Sequence, residues 1–245
     1  MIHPFGYRFC LFVTALWAIA SVGRAESVTG LLLPLQEVKV GTPVEGLVKE
    51  VMVDEGDTVT VGQPLVRLVD DLEKMDVERA EKILEKAKFD HEAAQKLLKQ
   101  DIGTKEEALR KSIEYDLAKI QRDASVVRLQ QKTLQSPIQG VVVHRGKEPG
   151  ESVQLHEVLL QIVHIQKVEA QFYLEPEQIG SLKTGVQQKL HVPSITGSPE
   201  VIGRIVFLDP RLDAESGLYR VKLELDNPDL KLKPGMRVEA DFAKP

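Results

Sequence analysis

Between Gly62 and Gly140 the chain holds a single glycine, Gly103, and between Pro64 and Pro137 it holds no proline. Those two residue types are the strongest local breakers of regular backbone, so so long a stretch without them reads as continuous helix. Gly103 falls near the middle. The pattern therefore predicts two helices of similar length over residues 71–134, joined by a tight turn. Each would reach about 40 Å at the α-helical rise of 1.5 Å per residue. Most globular helices are far shorter, so this hairpin is expected to project from the body that carries it.

Its composition fits a solvated structure. Residues 71–133 hold 14 Lys/Arg and 14 Asp/Glu, interspersed. Glu78–Lys82, Glu92–Lys96, Glu106–Arg110 and Glu107–Lys111 are i,i+4 pairs in the favourable orientation, worth about 0.2–0.5 kcal/mol each. A thin apolar seam is expected at Ala80, Ile83 or Leu84, Ala87, Ala94 and Leu97. Its partners would be Leu109, Ile113, Leu117, Ile120, Ala124 and Val127. Such a seam suits one partner helix and is too narrow for a globular core. The prediction is an antiparallel two-helix coiled coil.

The flanks of the hairpin repeat one another. Thr-Pro-Val-Glu-Gly (42–46) and Ser-Pro-Ile-Gln-Gly (136–140) share their proline and glycine positions at an offset of 94 residues. The same offset superposes Gly56 on Gly150, Val59 on Val153, Leu68 on Ile162 and Val69 on Val163. An internal repeat constrains a fold before any local propensity does. Each copy alternates apolar and polar residues between Gly and Pro, the pattern of short strands. Neither copy has enough apolar surface to fold alone, and two facing copies would close a small β-sandwich. Gly46, Gly56, Gly140 and Gly150 are read as its turn and bend glycines.

This half-motif resembles that of lipoyl/biotinyl-type domains. A lipoyl half, a helical hairpin and a second half, in that order, resemble the periplasmic adaptor (membrane fusion) proteins of the AcrA and HlyD type. The stretch from Phe207 to Pro228, with Leu232-Lys-Pro-Gly-Met236, is similar to the β-barrel domain of the same family. The resemblance implies a mainly β fold with an inserted α-helical hairpin: a split lipoyl/biotinyl-like sandwich, an antiparallel coiled-coil hairpin and a C-terminal β-barrel. The expected division is a signal peptide over 1–25, the split lipoyl-like domain over 36–70 and 135–166, the hairpin over 71–134, and the β-barrel domain over 26–35 and 167–245. Many members of the family continue into a membrane-proximal domain, for which this sequence leaves almost no residues after the barrel.

Residues 1–25 read as a secretory signal. Arg8 supplies a positive start, Cys10 to Ala20 an apolar centre, and Gly23-Arg-Ala25 a small-residue cleavage site. The apolar centre is too short to span a bilayer, which disfavours a retained anchor. Cys10 is the only cysteine, so the remaining chain would have neither disulfide nor catalytic thiol. Removing Arg8 and Arg24 takes the formal charge from −5 to −7, which argues against nucleic acid as a partner. The periplasm is the expected location.

No catalytic constellation emerges. His91, His144, His156, His164 and His191 lack metal-ligand spacing, and Met52, Met75 and Met236 are too scattered for a soft-metal site. No cofactor or metal is expected. A lipoyl carrier would present a modifiable lysine on the short turn between its halves, and here the whole hairpin occupies that junction. The resemblance implies instead a mechanical role. The hairpin tip, Leu97, Lys99, Gln100, Asp101, Ile102, Gly103 and Thr104, would meet an outer-membrane channel of the TolC type. The barrel would contact an inner-membrane transporter, most often of the resistance–nodulation–division class, and copies would self-associate into a ring, hexameric by resemblance. Drug-efflux adaptors often carry an Arg, Leu, Ser pattern at the tip. Leu97 and Thr104 match its last two positions, while Ala93 stands where the Arg would be. An adaptor for an ABC or type I exporter is the alternative, and would keep an N-terminal membrane helix. Thr104 is also expected to cap the second helix, with Glu107 completing a capping box.

Overall fold

The structure, a computed structural model, describes residues 27–180, 182–197 and 200–242. The expected signal peptide lies outside them. In chain order the elements are β1 (Ser27–Gly41), β2 (Gly46–Val51), β3 (Thr58–Val59), β4 (Pro64–Leu68), α1 (Asp71–Lys99) and α2 (Lys105–Gln130). There follow β5 (Thr133–Gln135), β6 (Gly140–Arg145), β7 (Ser152–Val153), β8 (Val158–Leu174), α3 (Pro176–Ile179), β9 (Gln187–His191), β10 (Glu200–Leu212), β11 (Tyr219–Asp226) and β12 (Arg237–Asp241).

The repeat folds as a two-fold related pair of sheets. One runs β5-β4-β2-β7; its counterpart is the portion β1-β8-β6-β3 of the larger sheet. Each copy gives its shortest strand to the other's sheet. Gly46 and Leu47 of β2 pair with Val153 and Ser152 of β7, and Gly140 and Val141 of β6 pair with Val59 and Thr58 of β3. The backbone bonds repeat with the same offset. Gly56 N–H donates to Val142 O as Gly150 N–H donates to Val48 O, both at 2.8 Å. Between the sheets lies one apolar cluster that includes Val48, Val59, Leu65, Leu68, Val142, Val153, Leu159 and Ile162, all at most 3% exposed. Inward residues from both copies fill it because strand side chains alternate between faces.

The turn glycines divide into two kinds. Gly56 and Gly150 have φ of +97° and +91°, a backbone that L side chains rarely adopt. Gly46 and Gly140, expected in bends, instead open β2 and β6. What they meet there differs, since a Cβ on Gly140 would run into the carbonyl of Val163, whereas one on Gly46 would make ordinary contacts, Leu68 Cδ1 at 3.5 Å and Lys132 Nζ at 3.6 Å being the nearest.

The two long strands, β1 and β8, leave the sandwich together and enter a second, curled sheet. Its pairings run β12-β9-β10-β11-β8, with β1 beside β12 through Ser27–Leu31 and beside β8 through Leu31–Gly41. The sheet thereby turns back on itself around Phe172, Leu190, Val221, Leu223, Val238 and Phe242. Phe172 and Phe242 meet edge to face at 5.2 Å between ring centroids. Where the β1–β8 ladder passes from one body to the other, its register shifts between Pro34 and Gln36, as expected where proline removes a ladder donor. Buried Asn227 takes up the freed backbone. Its N–H donates to Gln166 O (2.8 Å), its side-chain amide donates to Ile165 O (2.7 Å) and Leu232 O (2.8 Å), and its Oδ1 accepts from Leu232 N–H (3.0 Å).

Candidate functional site at the hairpin

The hairpin stands on a charged root. Asp70, whose side chain is 5% exposed, binds Lys74 at 2.9 Å and Lys49 of the sandwich at 3.2 Å. Burial pushes its carboxyl up, but hydrogen bonds from Lys74 and Lys49 outweigh that and hold it below the ordinary carboxylate value. On the other strand Lys132 bonds Glu73 at 3.1 Å and donates to Glu45 O at 3.4 Å. Asp70 precedes α1, yet its carboxylate serves the root rather than a backbone cap.

The seam between α1 and α2 takes the expected Ala80, Leu84, Ala87 and Ala94 on α1 but differs from the expected one on α2. Ala80 and Ala94 are buried on α1, and Ala108, Ala118 and Ser125 on α2. Half-buried residues extend these rows at heptad spacing: Val77, Leu84, Ala87, His91 and Leu98 on α1; Lys111, Tyr115, Arg122 and Leu129 on α2. The residues expected at the seam of α2 face outward instead: Leu109, Ile113, Leu117, Ile120 and Val127 are 51–64% exposed. Ile83 and Leu97 are likewise exposed. The small residues win the seam because alanine lets two helix axes approach closely. The larger apolar side chains then fall outside. Within the seam His91 stacks on Tyr115 with ring centroids 5.5 Å apart and planes 12° from parallel.

The expected ion pairs along the helices are also rearranged. Lys82 turns to Glu85 (3.1 Å), Lys111 to Glu114 (2.7 Å), and Arg110 Nε donates to Glu107 (3.0 Å), all i,i+3. Exposed pairs of this kind contribute about 0–1 kcal/mol in either arrangement.

At the tip, Leu97, Lys99, Gln100, Asp101, Ile102, Gly103 and Thr104 are brought into one turn. The left-handed residue is Asp101, with φ +59°, and not Gly103. Ile102 N–H donates to Leu97 O (3.0 Å) and Asp101 N–H to Leu98 O (3.1 Å), the paired bonds of a Schellman motif. Gly103 N–H also donates to Leu97 O at 3.1 Å. A Cβ on Gly103 would lie 3.1–3.2 Å from Leu97 and Leu98, so close approach is what glycine provides here. Thr104 caps α2 as expected, its Oγ1 accepting from Glu107 N–H at 3.1 Å. The reciprocal half of the box is not made, because the Glu107 carboxylate is taken by Arg110. Ile102, 73% exposed, and Leu97, 46% exposed, form the apolar crown of the turn.

Elsewhere the histidines are dispersed. His164 Nδ1 lies 2.8 Å from Gln139 O and His144 Nδ1 3.6 Å from Glu55. Among the described residues no group of three or more His, Cys, Asp or Glu is placed to hold a metal ion, and no helix is long and apolar enough to cross a membrane.

A split lipoyl-type sandwich with a hairpin between its halves and a curled sheet beyond defines a narrow structural class, and comparison with known proteins agrees. Residues 36–68 match the family described as biotin-requiring enzyme, and residues 168–245 match the CusB-like β-barrel domain. The fold is shared with solved structures, one of them a membrane fusion protein. A MacA–MexA chimeric protein containing the Pseudomonas aeruginosa MexA α-hairpin domain superposes with a TM-score of 0.77 at 20% identity, over 89% of this chain and 82% of that one. The membrane fusion protein Spr0693 of Streptococcus pneumoniae superposes with a TM-score of 0.69 at 16% identity, over 87% and 99%. An uncharacterized protein of Haemophilus influenzae is 22% identical over 218 residues, 89% of this chain. The chain spans 57% of the length of that curated relative.

Proposed function

We propose that the protein is a non-enzymatic periplasmic adaptor, joining an inner-membrane exporter to an outer-membrane channel of the TolC type. The observation that carries the reading is the hairpin. Two helices of 29 and 26 residues are inserted at the junction of a sandwich whose two-fold pairing they leave intact. They place an apolar-crowned turn about 40 Å from that body. A structure of this kind spans distance and presents a tip.

In this reading residues 1–25 direct export and are removed. Residues 36–70 with 135–166 form the lipoyl-like body, 71–134 the spacer, and 26–35 with 167–245 the β-barrel domain. Copies stand side by side around a conduit, six by family resemblance. The barrel sits toward a transporter of the resistance–nodulation–division class, and the tip residues Leu97 to Thr104 meet the channel.

The test is photo-crosslinking from a reactive residue placed at Gln100, followed by purification from membranes. Capture of an outer-membrane channel is the expected result. A properly exported protein that captures no envelope component from Gln100 would defeat the docking role of the tip.

A further inference from the structure

The ladder between β10 and β11 opens near its end. Leu208 pairs with Val221 and the next pair is Leu212 with Tyr219, so Asp209, Pro210 and Arg211 stand against Arg220 alone. Proline has no N–H to give the ladder, and a bulge re-aims the side chains it carries. The opening leaves a cleft of about 290 Å³ whose walls include Tyr173, Asp209, Arg211, Leu212 and Arg220. Tyr173 pairs with Arg220 next to the last residue of β8, so the cleft lies at the end of the curled sheet away from the sandwich. We infer that this cleft binds an oxyanion of phosphate size, held between Arg211, Arg220 and the Tyr173 hydroxyl.

Both guanidinium groups are anchored on one carboxylate. Arg220 Nη2 donates to Asp209 Oδ2 at 2.9 Å, and Arg211 donates to Asp209 through Nε at 3.1 Å and Nη2 at 3.3 Å. The Asp209 side chain is 8% exposed. Hydrogen bonds from Arg211 hold its carboxyl below the ordinary carboxylate value, so it stays ionised at neutral pH. Arg220 is set further by the ring of Phe207, whose centroid lies 5.7 Å from the guanidinium carbon. An arginine carries five N–H donors, and Nη1 of each of these two bonds to no described residue. The third donor is Tyr173. Gln171 Nε2 donates to its hydroxyl at 2.8 Å, which leaves the phenolic proton free to be given to a ligand.

The other carboxylate at the cleft, Asp213, is turned into its own loop. Its Oδ1 accepts from the N–H groups of Glu215 (3.0 Å) and Ser216 (2.8 Å) and from Ser216 Oγ (3.0 Å). Fastening the bulge takes Asp209 and one cation, so the second arginine is surplus to that task. Guanidinium groups are the side chains best matched to phosphate oxygens. Leu212, 47% exposed, borders the donors, a wall that suits a phosphate with an apolar substituent as well as the free ion. The formal charge of the whole chain is −5, so its general field repels anions and the local donors must supply the attraction.

The experiment takes the purified full chain through two titrations, one with inorganic phosphate followed by phosphorus NMR line width, the other with phosphatidylglycerol vesicles followed by co-sedimentation. Saturable binding is the expected result. Arg211→Ala should weaken it about 10–100-fold, the scale of a charged hydrogen bond. Tyr173→Phe removes one donor and leaves the Asp209 cluster whole, so it should weaken binding about 2–10-fold with the thermal midpoint unchanged. Variant-sensitive binding of phosphate but not of vesicles assigns the site to a soluble phosphate. Variant-sensitive binding of vesicles assigns it to a lipid headgroup phosphate. Absence of binding in both titrations, or a folded variant of either kind that binds like the parent, would overturn the site and leave the arginines as fasteners of the bulge.

Discussion

Gly46 and Gly140 occupy equivalent places in the repeat, yet alanine should affect them very differently. At Gly140 the new methyl group would strike the Val163 carbonyl, with the Val163 carbonyl carbon at 2.8 Å and Ile162 Cγ2 at 3.0 Å. Those are backbone and core atoms of β8, and they cannot rotate away. Relief requires β6 to move off β8 along the Val141–Val163 pairing, the penalty range of an overpacked core, about 1–3 kcal/mol. At Gly46 the same methyl meets only ordinary contacts, the nearest Leu68 Cδ1 at 3.5 Å. There the loss of glycine's freedom in the unfolded chain stabilises by about 0.4–1 kcal/mol where the backbone is compatible. For a protein of this size each kcal/mol shifts the midpoint by about 2–4 °C. Thermal unfolding followed by circular dichroism should therefore place Gly140→Ala about 2–12 °C below the parent and Gly46→Ala at or slightly above it. Equal midpoints for the two variants would refute the close approach of β6 and β8.

Other consequences are simpler to read. Thr104→Ala removes the cap on Glu107 N–H and should cost about 1 kcal/mol, visible as faster amide exchange in the first turn of α2. Ala118→Leu should force the helices apart at about 1–3 kcal/mol. Ile120→Ala should change the stability of the isolated chain by no more than about 0.5 kcal/mol; the reverse order would restore the seam expected from sequence. The Asp209 carboxyl is held at about 2 by Arg211, with Arg220 adding a further hydrogen bond. A depressed carboxyl stabilises the fold above its unfolded value and loses that contribution as protons bind. Acid titration of the curled sheet should thus show stability falling between pH about 4 and about 2, and Asp209→Asn should flatten that part of the curve.

Much of this architecture could be read directly from the residues, because a repeat in one register with a breaker-free insert has few solutions. The offset of 94 residues carries through the backbone hydrogen bonds of both copies. What it could not reveal was the exchange of β3 and β7, since a repeat says that two halves are alike without saying which sheet each strand joins. The α2 half of the hairpin seam was hidden for a different reason. The α2 sequence carries two rows at helical spacing, one of Leu and Ile and one of Ala and Ser, and hydrophobicity alone favours the larger residues. Close packing of two isolated helices favours the smaller ones. At the tip glycine drew attention to Gly103, while the left-handed position fell to Asp101, a residue type that tolerates it. The Asp70–Lys49 root was hidden because nothing in sequence joins residues 21 positions apart.

The strand exchange also sets an order of events while the chain is being made. The sheet built on β2 and β4 lacks its neighbours β5 and β7 until residues 133–153 exist. At about 5–20 residues per second of synthesis, the first half waits roughly 4–17 s after Leu68 before its last strand is available. The hairpin needs only local contacts and can form during that interval. The long spacer can thus form without the body it stands on, and once formed it brings the two halves within reach of each other.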